Sequence, residues 1–300
     1  MHAPLRASVL VPRVSACLVV VVLLLVGCGG GSSGGDASSG GGDSSGGGDS
    51  SGGDASSGGG DSSDGGSGPP PSEPADDPGG AGVTGSSAAD CHNPSLYQTG
   101  TKWEEQWTTN GTGTGQRTSV VDGAAIFPPT NQPSIKIVRN TTDAVGNTGA
   151  AEEYVNVVAG PHVLVYGVVG FSFGVTVTGV HDPYDFYRLD LLPGESFTHR
   201  YTDTASRETT VVTREEIERT IKYLGQETVS VPAGTFDTCR FDVIEDVVLE
   251  ILPGPPQRSV VMSTQWIGVG NGLGIQSEDS TGTVTVLDSA SINGVTVSGR

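Results

Sequence analysis

The chain has 300 residues, a formal net charge of -19 and only 15 Lys and Arg, a balance that excludes a basic nucleic-acid-binding surface. The acidic excess is read as a source of solubility and self-repulsion. Length alone would allow two domains, but the residues that can build a core are concentrated in the last two thirds of the chain.

Residues 1–27 read as an export signal. Arg6 and Arg13 precede an apolar run from Val14 to Val26, which is short for a membrane span but suits a signal-peptide core. The run ends in Leu25-Val26-Gly27-Cys28, which resembles the lipobox of bacterial lipoproteins. That resemblance implies cleavage after Gly27 and lipidation of Cys28. It thereby implies a membrane-anchored cell-envelope protein, the outer membrane being favoured over the inner because Gly29 rather than Asp follows. Two or more acyl chains are what stable anchoring requires.

Residues 28–90 read as a lipidated cysteine plus a disordered tether. From Gly29 to Asp90 nearly every residue is Gly, Ser, Asp, Ala or Pro, with ten acidic side chains and no Lys, Arg or aromatic. Such a segment cannot bury enough apolar surface to offset the entropy of ordering it. Its Asp spacing of five to seven matches no calcium-binding repeat, so no metal is expected there.

Residues 91–300 read as one β-rich domain with little helix. Apolar and polar residues alternate at Ile135-Lys136-Ile137, Val175 to Thr178, Val284-Thr285-Val286 and Val295-Thr296-Val297, separated by Gly, Asn, Asp and Pro clusters. Thr213 to Arg219 has a capping-box spacing that favours a helix, although Ile217, Ile221 and Tyr223 also fit period two. A hairpin is expected where Glu227 to Val231 meets Pro232-Ala233-Gly234. Pro232 would preset φ in the turn and Gly234 would take a positive φ, with Cys239, Phe241 and Val243 on the inner face.

The segment Gly225 to Phe236, followed by Trp266 and Gly268 to Gly274, with Leu191-Leu192-Pro193-Gly194 upstream, resembles a family of β-rich envelope proteins of unknown function. The resemblance implies a single curved antiparallel sheet or open half-barrel, distantly similar to the lipoprotein carriers of the Lol system. It implies no catalytic residue and no cofactor.

Other constellations carry less. Gly170-Phe171-Ser172-Phe173-Gly174 matches a nucleophile elbow, which would make Ser172 a surface hydrolase's serine, but strand-like residues follow it where a helix is needed. Gly268 to Gly274 fits neither common phosphate-loop pattern and is read as a wide turn. His92, His162, His181 and His199 lack metal-ligand spacing. Glu227, Glu245 and Glu250 could pair as acid and base; Glu245 alternates onto the apolar face, and a bulge turning it outward is the simpler expectation. Trp103, Trp107 and Trp266 are candidates to line a concavity. Cys17 would leave with the signal and Cys28 would be lipidated, so counting pairs Cys91 with Cys239. The expected role is non-enzymatic binding of an apolar ligand or an envelope partner, the rivals being the Ser172 hydrolase and a purely structural envelope protein.

Overall fold

The computed structural model describes residues 86–300 except 144, 159, 173 and 174, and only the backbone of Ser172. The signal, Cys28 and the tether up to residue 85 lie outside the described residues.

Thirteen antiparallel strands follow one another as neighbours in chain order. They are β1 Lys102–Thr109, β2 Gly113–Phe127, β3 Gln132–Thr142, β4 Thr148–Val158, β5 His162–Ser172, β6 Val175–Arg188 and β7 Ser196–Arg207. The rest are β8 Thr210–Val231, β9 Gly234–Ile251, β10 Gln257–Gly268, β11 Gly274–Asp279, β12 Val284–Ile292 and the short β13 Val295–Thr296. Alternation does the local work: along β1, Trp103, Glu105, Trp107 and Thr109 are buried while Lys102, Glu104 and Gln106 are exposed. The stretch from Thr213 to Arg219 is strand, not helix; it lies inside β8, where Ile217 and Arg219 are buried and Arg214 and Glu216 are exposed.

The expected open half-barrel is corrected to a closed barrel of twelve strands. β1 pairs with β12 as well as β2, with Trp103 opposite Ile292 and Thr109 opposite Thr285. β13 continues on the free side of β12, beyond the end of β11. Closure requires long strands to bend, and bulges supply the bend. Register shifts fall at Val121/Gly123, Val165/Gly167 and Tyr223/Gly225. Gly167 has φ +154°, and a Cβ there would stand 2.2 Å from the Gly179 carbonyl oxygen and 2.6 Å from the Phe127 ring. Only glycine lets the two backbones approach so closely.

Outward positions carry charge pairs: Lys136 with Asp122 and Glu152, Arg200 with Glu218, and Arg258 with Asp246. This is the reverse of the apolar outer band by which a barrel meets lipid.

Two single-turn 3₁₀ helices, Ala88–Cys91 and Pro94–Tyr97, plug one end of the barrel. A disulfide joins buried Cys91 to fully buried Cys239 on β9, with Cα atoms 6.1 Å apart. The plug is also held by Ala88 N donating to Leu191 O and Gly270 N donating to Asp90 O, at 2.9 and 2.8 Å. The Gly-rich stretch after β10 is thus a turn that braces the plug.

The β8–β9 hairpin reaches past the rim and folds back onto β12, where Ala233 N donates to Leu287 O at 3.2 Å. Its turn matches expectation, with Val231 paired to Gly234 across Pro232-Ala233 and Gly234 at φ +131°. A Cβ at Gly234 would meet Gly299 N at 2.8 Å. Gly234→Val is therefore expected to cost about 1 kcal/mol or more, through backbone strain plus the clash. A denaturant midpoint unchanged from the parent would contradict this turn geometry.

Candidate ligand-binding cavity

Inside the barrel, beneath the plug, lies a cavity of about 240 Å³. Its upper part is an apolar cup. Trp103, Ile137, Val155 and Val163 line it from β1, β3, β4 and β5; Ile221, Phe241 and Val243 line it from β8 and β9. Leu96 of the plug and Leu273 close the top.

Two residues farther from the plug along the strands, the inward positions turn charged. Glu105 follows Trp103, Arg139 follows Ile137, and Glu245 follows Val243; on the strands running the other way Glu153, Asp185 and Arg219 precede Val155, Tyr187 and Ile221. With Arg117 of β2 they form a belt of three guanidiniums and four carboxylates. Arg117 donates to Glu105 Oε2 at 2.6 and 2.8 Å, and Arg139 to Glu153 Oε2 at 2.5 Å.

Arg219 is the hub. It donates to Asp185 at 2.6 Å, to Glu245 Oε1 at 2.8 Å, and to the Tyr201 and Tyr187 hydroxyls at 2.9 and 3.1 Å. Burial alone would lower its pKa, but Tyr187, Asp185, Tyr201 and Glu245 more than reverse this and hold it well above its ordinary value. Burial likewise pushes the Tyr187 hydroxyl up, with Arg219 opposing. Tyr97, on the plug, is pushed up to about 12 by burial, Glu153 adding to the shift and Arg139 countering it.

Two belt atoms have no partner. Glu153 Oε1 and Arg139 Nε are buried and unbonded, although each residue is paired through its other atoms. The Glu153 side chain is only 2% exposed.

The sequence candidates separate in space. Trp103 lines the cavity, and Trp107 sits deeper on the same face, packed over Gly115 and bordering a small recess of about 30 Å³. Trp266 does not line the lumen. Its neighbours Gln265 and Ile267 point in, so it points out, donating to Glu227 and stacking under Arg240 at 5.5 Å. The motif around Glu227 thereby braces the outer wall, and Gln226 donates to Asp90 beside the plug.

Glu227, Glu245 and Glu250 do not assemble: Glu227 is outside, Glu245 is in the belt, and Glu250 stands opposite Arg214 on the β8–β9 ladder. Glu245 is not turned outward by a bulge; β9 keeps its alternation, and Arg219 supplies a partner that makes burial tolerable. No cluster of metal-ligating side chains occurs among the described residues.

Ser172 ends β5 and pairs through its backbone with Val175 of β6, so a strand follows the motif where an elbow needs a helix. His181 and His199 are engaged elsewhere, at the carbonyls of Val165 (3.1 Å) and Tyr184 (2.6 Å). His199 belongs to an aromatic seam. β6 pairs with β7 only from Val177 to Asp182, and beyond that Phe186 meets Phe197 at 5.2 Å and Tyr184 meets His199 at 5.6 Å. Rings fill the wall where ladder hydrogen bonds stop. Of the belt, the sequence placed only Glu245 on an apolar face, and nothing in it paired an arginine on one strand with carboxylates on strands 26 and 34 residues away.

No protein-family profile and no curated protein sequence matches the chain. Two solved structures overlay on it. A protein from Parabacteroides distasonis described as a lipoprotein shares 11% identity over 65% of this chain and 96% of its own, with a TM-score of 0.41. A protein from Bacteroides fragilis described as exported, with a YmcC-like fold, shares 17% over 67% and 98%, with a TM-score of 0.40. At these scores the likeness carries no argument about relation or role.

Proposed function

We propose that this chain is a non-enzymatic binding protein whose barrel holds a small amphipathic molecule, carried in the bacterial cell envelope on a lipid at Cys28. The cavity carries the reading: an apolar cup closed by a disulfide-fastened plug above a belt of charged and hydroxyl groups is what a molecule with one apolar and one polar end requires. Native mass spectrometry of the full-length protein extracted from membranes tests it. The expected result is a retained mass of small-molecule size, lost when Val163→Trp fills the cup. A protein that is always empty, and that gains no thermal stability from any medium-chain amphiphile, would refute the binding reading.

The anchor rests on the lipobox resemblance and the tether's composition. Cys28→Ser is expected to abolish labelling by a clickable fatty acid and to leave precursor uncleaved. Labelling of the variant equal to the parent would eliminate Cys28 as the acceptor.

A further inference from the structure

The charges of the belt are already paired with one another: Arg117 with Glu105, Arg139 with Glu153, and Arg219 with Asp185 and Glu245. Farther round the ring, β10 lines the cavity with Ser263, Gln265 and Ile267, while Thr264 and Trp266 between them bond Asp242 and Glu227 on the outer face. The Ser263 hydroxyl and the Gln265 carboxamide hydrogen bond to no described residue. Both side chains are only half-buried, and the surface they keep faces the lumen. Their ladder partners on β9 are Val243 and Phe241, so they stand level with the apolar cup and not with the belt. β4, with Val155, lies six strands away round the ring of twelve, so this uncharged polar edge faces an apolar wall.

A carboxamide holds a donor and an acceptor side by side. A ligand amide presents the same two functions in reverse and meets Gln265 through two hydrogen bonds; a ketone meets only the donor. A charged group would find no counter-ion, because the belt's charges are already paired and its carboxylates outnumber its guanidiniums. Burying an unpaired charge is far costlier than burying an amide that is hydrogen bonded. As for size, an engineered cavity of about 150 Å³ holds benzene. A volume of about 240 Å³ therefore suits a six-membered ring with a small substituent.

We propose that the cavity takes a compact neutral amide, its apolar body against Ile137 and Val155 and its carboxamide or lactam group paired with Gln265 through two hydrogen bonds. The inference rests on the binding reading above and adds the ligand's polar group and the residue that reads it. Ser263, about 7 Å along the same strand, extends the polar edge to a second uncharged group.

The test titrates the full-length protein with four probes on one frame: cyclohexanecarboxamide, cyclohexyl methyl ketone, cyclohexanecarboxylate and cyclohexylmethylammonium. Tryptophan fluorescence, to which cavity-lining Trp103 contributes, follows binding. The carboxamide is expected to bind at least about tenfold more tightly than each of the others, the ketone because it leaves the Gln265 carbonyl unpaired. Gln265→Met removes no hydrogen bond of the fold, and it is expected to bring the carboxamide down to the ketone's affinity or below. A ketone or a charged probe that binds the parent as well as the carboxamide does would overturn the inference while leaving the binding reading intact. A folded Gln265→Met that keeps the carboxamide's advantage would overturn it too. If none of the four binds, the inference falls, and the native mass measurement decides the binding reading separately. If circular dichroism shows Gln265→Met unfolded, the ranking in the parent decides alone.

Discussion

Removing the Cys91–Cys239 bond, by Cys91→Ala with Cys239→Ala, is expected to lower stability by about 3–5 kcal/mol. The upper figure comes from the chain-entropy account, in which a closed loop of this size, with a sequence separation of 148, restricts the unfolded chain most. The bond also fastens the plug, whose Ala88 and Cys91 pack with Leu191, Tyr223 and Phe241. Without it, the plug is held to the barrel by a few backbone hydrogen bonds and is prone to fray. Loss of cavity ligand should accompany the loss of stability, because Cys91, Leu96 and Tyr97 line the cavity. Urea unfolding of the parent and the double variant measures the effect. Midpoints within error of each other would show that the plug is secured without the bond.

The second large effect is expected at Arg219. Arg219→Met keeps an unbranched apolar stem but leaves Asp185 and Glu245 buried without their cation, which costs about 3–5 kcal/mol. The loss should come from the orphaned carboxylates rather than from the missing attraction. Adding Asp185→Asn and Glu245→Gln to Arg219→Met is therefore expected to recover a large part of it, a coupling that a mutant cycle resolves. Arg219→Lys should recover little, because a single ammonium cannot reach two carboxylates and two tyrosine hydroxyls at once. A loss below about 1 kcal/mol in Arg219→Met, or no recovery in the triple variant, would mean that the hub is hydrated and screened.

Particular residues show where the sequence was legible. The alternation of Cys239, Arg240, Phe241, Asp242 and Val243 told inside from outside on β9, because successive side chains on a strand must face opposite ways. The Pro232–Gly234 turn was readable because proline and glycine restrict and release φ locally. The disulfide was readable from a count that left two thiols. Trp266 was misplaced because an aromatic residue suits either face of a sheet; its partners Glu227 and Arg240, not its own type, hold it outside. Glu245 was misread for the converse reason. A carboxylate on an apolar face looks like an error until Arg219 is brought to it.

Strand, turn and parity are thus properties of neighbours in the chain, the crosslink followed from a count of cysteines, and sequence alone determined them. Closure was decided elsewhere. Pairing Trp103 with Ile292 joins residues 189 apart, and whether a curved sheet stops open or meets itself depends on the summed bend and stagger of twelve strands. The charged belt needs tertiary structure too: seven strands each contribute one unremarkable polar position, three of the pairs form between adjacent strands, and Asp185 reaches Arg219 past β7. Local periodicity specifies which way a side chain points; only the closed barrel specifies what it points at.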